Sequence, residues 1–177
     1  MTEHFTRHVP LVFLFDVDNT LLDNDHFAAD LRGHLEGTFG AAQAQRYWDI
    51  YEQLRQELGY ADYLGAVQRF RQGLEDDPAV LDLAHFLIAY PFAERLFPQA
   101  LDVLSHLQGI APTAILSDGD VVFQPHKIRV AGLWRAVQGR VLIYVHKERV
   151  LEAMQRHFPA RQYVMVDDKP QILAAMK

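Results

Sequence analysis

The chain has 177 residues, 50% of them hydrophobic and 23% charged, which is enough to bury the core of one domain and too apolar for a disordered segment. Seventeen Lys and Arg against twenty-three Asp and Glu leave a net charge of −6, so the basic footprint that a nucleic-acid binder needs is absent. With no Cys at all, disulfide frameworks, thiolate zinc sites and Cys nucleophiles are excluded.

No targeting signal is expected in the first ten residues, since the apolar run behind them is shorter than that of a signal peptide. A membrane span needs about 20 apolar residues. Only the stretch at 83–93 comes near, and it is interrupted by His85 and Pro91. A cytoplasmic protein with no membrane or nucleic-acid partner is expected.

Residues 11–15, Leu-Val-Phe-Leu-Phe, are too few for a core helix and read as a strand buried on both faces. Residues 113–116, 141–145 and 163–166 share that character. Between them lie helical stretches, such as the stripe of Val150, Leu151, Met154 and Phe158 at 3.6 spacing. Strand and helix in alternation predict an α/β fold, a Rossmann-like parallel sheet flanked by helices. The interval from Asn24 to Pro112 far exceeds the dozen residues or so of an ordinary crossover.

Most of that interval reads as helix. Ala44, Tyr47, Trp48, Tyr51, Leu54 and Leu58 make one apolar face, Leu64, Val67, Phe70 and Leu74 a second, and Val80, Leu81, Ala84, Leu87 and Ile88 a third. Breaks fall at 37–40, at Gly59-Tyr60, at Asp76-Asp77-Pro78 and at Pro91. Asp77 suits an N-cap followed by a first-turn proline. A helix at 98–108 then returns the chain to the sheet. The expected organisation is a core of residues 1–23 and 92–177 with a helical insertion over 24–91.

In a parallel sheet the ligand site lies beyond the carboxyl ends of the strands. The four strands deliver Asp16-Val17-Asp18, Ser117-Asp118-Gly119, His146-Lys147 and Asp167-Asp168 there. Asp16 to Thr20 does not begin a calcium loop, because Leu21 stands where Gly is needed and Phe27 where a bidentate Glu belongs. Of two carboxylates at such spacing, one can attack and the other can move a proton. Ser117 and backbone N–H groups beside Gly119 can donate to an oxyanion. A P-loop, a dinucleotide fingerprint, Gly-x-Ser-x-Gly and His-Glu-x-x-His are all missing. The nine His are scattered, so zinc is not expected.

In this order the clusters resemble the four motifs of the haloacid dehalogenase-like hydrolase superfamily. The run from Ser117 through Gln124, Lys127, Gly132 and Leu133 is similar to the family's segment after its second motif. The helical insertion resembles the family's type-one cap, and Asp18 with the acids at 167 and 168 resembles its phosphatase branch. The resemblance implies Asp16 as nucleophile and Asp18 as acid/base, with Ser117 on the transferring phosphoryl group. It implies Lys147, or else Lys127, as the neutralising ammonium. It further implies Mg²⁺ held by Asp16, Asp18 (through its carbonyl) and Asp167, with Asp168 as a ligand or an orienting group.

An aspartate meeting a phosphate dianion brings like charges together, at about 4 kcal/mol per unit pair at about 4 Å and an effective dielectric near 20. A cation and an ammonium are therefore needed, and oxygen-only donors suit Mg²⁺. The expected activity is Mg²⁺-dependent hydrolysis of a small phosphorylated metabolite through an aspartyl-phosphate. Two alternatives stand beside it. One is a catalytically silent phospholigand binder, suggested by the short stretch after the fourth motif. The other is a 2-haloacid dehalogenase, disfavoured because that branch lacks an aspartate at the position of Asp18. Tyr47, Trp48, Tyr51, Tyr60 and Tyr63 are read chiefly as core, and Arg69 and Arg71 as a solvated face.

Overall fold

The structure, a computed structural model, describes residues 9–176. Residues 1–8, to which the targeting expectation also applies, lie outside the described residues. Strand β1, Val9–Phe15, is followed by four helices: α1, Asn24–Phe39; α2, Ala41–Leu58; α3, Tyr63–Phe70; and α4, Ala79–Ala89. A 3₁₀ turn at Phe92–Arg95 and helix α5, Ala100–Gln108, lead back into strand β2, Thr113–Asp118. Then come α6, Phe123–Val130, α7, Leu133–Ala136, and β3, Val141–Tyr144. A 3₁₀ turn at Lys147–Arg149 precedes α8, Leu151–His157, β4, Ala160–Val166, and α9, Pro170–Ala175.

The four strands run parallel in the order β3-β2-β1-β4. The order reverses between β1 and β4, since β2 and β3 follow in sequence on one side of β1 while β4 lies on its other side. Such a switch point places a crevice at the carboxyl ends of the strands, where β1 ends at Phe15 and Asp16 follows. The Asp16 N–H still donates to the Val166 carbonyl at 2.9 Å. The nucleophile candidate is therefore the first residue beyond the ladder and is held in register by it.

Two apolar layers cover the sheet. On one face Val12, Leu14, Ala114 and Leu116 pack with Met154 and Phe158 of the α8 region. On the other, Phe15 and Ile115 belong to one continuous cluster with the helical insertion, through Phe27, Leu31, Tyr47, Tyr63, Phe70, Leu83, Phe92 and Phe123. Phe27 of α1 is the hub, with ring centroids 5.2 Å from Tyr63, 4.8 Å from Tyr90, 5.0 Å from Phe92 and 6.0 Å from Phe123.

Three expectations need correcting. The outer strands are not buried on both faces: Val164 and Val166 of β4 are exposed, because β4 closes one edge of the sheet. In α4 the inward stripe is Val80, Leu83 and Leu87, whereas Leu81 and Ile88 face solvent. Pro78 lies just before α4 rather than in its first turn, and Asp77 still accepts from the Ala79 N–H at 2.9 Å. Among the described residues no helix is long and apolar enough to cross a membrane.

Candidate active site

Four strand ends meet over the switch point. Asp16 is almost fully buried, and its Oδ1 accepts from Lys147 Nζ at 2.5 Å. The same Nζ lies 2.6 Å from Asp167 Oδ2, a close ion pair without the direction of a hydrogen bond. Lys147 is completely buried, and its place follows from its backbone. The Lys147 N–H donates to Asp118 Oδ1 at 2.8 Å, which clasps the loop after β3 to the end of β2. The loops after β1 and β4 are joined likewise, by the Asp168 N–H donating to Thr20 Oγ1 at 3.0 Å. Asn19 has a left-handed φ of 59°, which Asn adopts more readily than most residues.

The charges explain the ionisation behaviour. Burial raises the Asp16 carboxyl to about 6; Lys147 pulls it down, and Asp18 and Asp167 push it further up. Burial alone would lower the Lys147 ammonium, but Asp16 and Asp167 more than offset this and leave it raised. Burial also raises Asp118, against the pull of the Lys147 N–H.

Carboxylate oxygens of Asp16, Asp167 and Asp168 lie within 4.8 Å of one another. Asp16 Oδ2 is buried without a hydrogen-bond partner, a costly condition for a carboxylate oxygen unless it meets a cation, as Asp167 Oδ2 already does at Lys147. One ammonium faces three acids here. An oxygen-only, acid-rich donor set of this kind fits a hard divalent cation such as Mg²⁺.

Asp18 belongs to a second cluster. Its Oδ1 accepts from Lys127 Nζ at 2.6 Å and its Oδ2 from Gln124 Nε2 at 3.3 Å. Gln124 Nε2 also lies 3.0 Å from Ser117 Oγ, so Ser117 and Asp18 share one amide. A cavity of about 500 Å³ opens beside Asp18 between the insertion and the sheet. Trp48, Tyr51, Tyr60 and Tyr63 wall it from above, with Arg55, His146 and Lys169 at its rim.

The family model of haloacid dehalogenase-like hydrolases matches residues 11–177. The chain belongs to that family. Among solved structures it is similar to a haloacid dehalogenase-like hydrolase from Burkholderia xenovorans, with 60% identity over 96% of this chain and 77% of that one, at a TM-score of 0.88. A haloacid dehalogenase-like family hydrolase from Xanthomonas campestris shares the fold at 19% identity and a TM-score of 0.66, covering 99% of this chain and 83% of that one. So does L-2-haloacid dehalogenase from Xanthobacter autotrophicus, at 20% identity and 0.51 over 88% and 69%. Among curated proteins none matches the chain in sequence.

Within this haloacid dehalogenase-like fold, Asp16, Lys147, Asp167 and Asp168 form one group, and Ser117 adjoins Asp18 through Gln124. The two lysines that the sequence left as alternatives are both present, on different aspartates. Tyr47 and Tyr63 are core, as their helical spacing suggests, yet Tyr63 also walls the cavity with the half-buried Trp48, Tyr51 and Tyr60. Arg69 pairs with Glu57 at the surface, away from the site. Three contributors were missed. Asp118 looked like ordinary turn chemistry, Gln124 was read only as part of the family's segment, and the bonds that bring Gln124 to Asp18 and Asn24 to Lys127 span more than a hundred residues.

Proposed function

We propose that this haloacid dehalogenase-like hydrolase is a Mg²⁺-dependent phosphatase acting on a small phosphorylated metabolite. The observation that carries this reading is Asp18. Its carboxylate, a quarter exposed, faces the cavity where a leaving group would sit, whereas carbon–halogen cleavage by an attacking aspartate expels a halide that needs no proton.

Asp16 attacks phosphorus through its free Oδ2 and the ester oxygen departs, leaving an aspartyl-phosphate. Asp18 gives its proton to that oxygen and then takes one from the water that opens the acyl-phosphate. General acid–base assistance of this kind is typically worth about 10²–10⁴-fold. Ser117 Oγ donates to a phosphoryl oxygen. Lys147 neutralises charge on Asp16 and on the incoming phosphate from a site shielded from water, where such stabilisation is strongest. Asp16, Asp167, Asp168 and the Asp18 carbonyl would hold Mg²⁺, which offsets the repulsion between the carboxylate and the phosphate dianion.

The test is release of inorganic phosphate from a panel of sugar phosphates, nucleotides and small organic phosphates. The assay is run with Mg²⁺, with chelator, and on Asp16→Asn. Turnover that needs Mg²⁺ and is lost in Asp16→Asn is expected. Halide release from 2-chloropropionate without metal, or tight retention of an intact phosphoester with no phosphate released, would replace this reading with one of its rivals.

A further inference from the structure

Lys147 serves Asp16 and Asp167, but Asp18 is held by α6. Gln124 and Lys127 project from that helix three residues apart, on neighbouring turns of one face. Each takes one oxygen of the Asp18 carboxylate, Lys127 at 2.6 Å and Gln124 at 3.3 Å. With both oxygens engaged, the carboxylate plane is fixed while its cavity side stays open.

Lys127 itself is fully buried, its ammonium about as far from the Phe92 and Phe123 rings, at 5.9 and 6.0 Å to their centroids. An ammonium in such surroundings is costly, and a packed apolar side chain of similar volume would serve stability as well or better. The charge therefore points to a task at its partner. A second bond runs from Lys127 Nζ to Asn24 Oδ1 at 3.1 Å. Asn24 is the first residue of α1, where the chain leaves the sheet for the helical insertion. Its backbone N–H donates to Asn19 Oδ1 at 3.0 Å, and its side chain reaches Tyr63 Oη on α3 at 3.5 Å. One ammonium thus joins the acid/base candidate to the point where the chain leaves the sheet for the insertion.

We propose that Lys127 is the positioning residue for Asp18, holding its carboxylate toward the leaving-group side of the cavity, and that Asn24 ties this position to the seating of the helical insertion. The inference rests on the phosphatase reading above. It makes Lys127 act through Asp18 and not on the phosphoryl group, and that difference is measurable. Protonation matters for an alkoxide leaving group and little for a nitrophenolate. The ratio kcat/KM reports the steps through leaving-group departure.

The experiment compares wild type, Lys127→Met, Asn24→Ala and Asp18→Asn on 4-nitrophenyl phosphate and on glycerol phosphate, with Mg²⁺. In Lys127→Met, kcat/KM for glycerol phosphate is expected to fall on the order of 100-fold, within the reach of general acid catalysis, while that for the nitrophenyl ester falls less than about threefold. Asn24→Ala shows the same selectivity at smaller size, and it carries the test should Lys127→Met fail to fold. Adding Lys127→Met to Asp18→Asn costs at most about a further twofold, since the two then share one pathway. Equal losses on both esters would overturn the proposal in favour of a phosphate-binding or purely structural lysine. So would full additivity with Asp18→Asn. A wild-type enzyme that hydrolyses neither these esters nor any phosphoester of the panel overturns the phosphatase reading itself, and this inference with it.

Discussion

The acid cluster makes a quantitative prediction about metal binding and pH. Burial raises Asp16 from 3.8 to about 6, so in that interval the folded chain holds a proton that the unfolded chain has released. Without metal, the group thus costs stability as pH climbs through the interval, by about 3 kcal/mol in full above pH 6. A divalent cation binds the ionised form, so proton and metal compete for Asp16. At pH 7.5 nearly every Asp16 is ionised, and at pH 5 about one in eleven, which weakens the apparent affinity about tenfold, or about 1.4 kcal/mol. With Mg²⁺ at about 100 times its neutral Kd, the stabilisation of about 2.7 kcal/mol at pH 7.5 falls to about 1.4 at pH 5. For a chain of this size those values correspond to rises in Tm of roughly 5–11 °C and 3–6 °C. Thermal unfolding followed with Mg²⁺ and with chelator at both pH values measures the difference. A shift of the same size at pH 5 and pH 7.5 would refute the competition, and a shift undiminished in Asp16→Asn would remove the cation from this cluster altogether.

Replacing Lys147 by Met leaves Asp16 and Asp167 without their ammonium, and in chelator the protein should lose about 3–5 kcal/mol in urea unfolding, as for other broken buried pairs; part of that loss should return with Mg²⁺, and an unchanged midpoint would contradict the ion pairs at 2.5 and 2.6 Å. Phe27→Ala opens the aromatic hub between insertion and sheet and should cost about 3–5 kcal/mol in the same assay, with a loss under 1 kcal/mol arguing that the two layers pack loosely.

Much of the site was legible because each of its acids follows an apolar run, and a run that stops at a charge marks both a strand and its end. Asp16, Ser117, Lys147 and Asp167 could be placed that way without knowing the strand order. The limits are equally physical. In α4 nearly every residue is apolar, so the phase containing Leu81 fitted the pattern as well as the phase containing Leu83, and only packing against α1 and α3 separates them. Which strands lie at the edges depends on pairing order, so the solvent-facing side of Val164 and Val166 could not be read from their composition. The choice between Lys127 and Lys147 stayed open for a related reason. Each lysine meets an aspartate more than a hundred residues away, and the sequence holds no record of which one.

The unbroken aromatic packing between α1, α3 and α6 bears on how a substrate gets in. Swinging the four helices aside as a body would wet Phe27, Tyr63 and Phe123 together, at roughly 2–3 kcal/mol for each ring uncovered. Admission by rotation of the half-buried Trp48, Tyr51 and Tyr60 over the existing 500 Å³ chamber wets none of these three rings. The doorway is then narrow by construction, and its width, more than any single contact inside, sets how bulky a molecule can reach the aspartates.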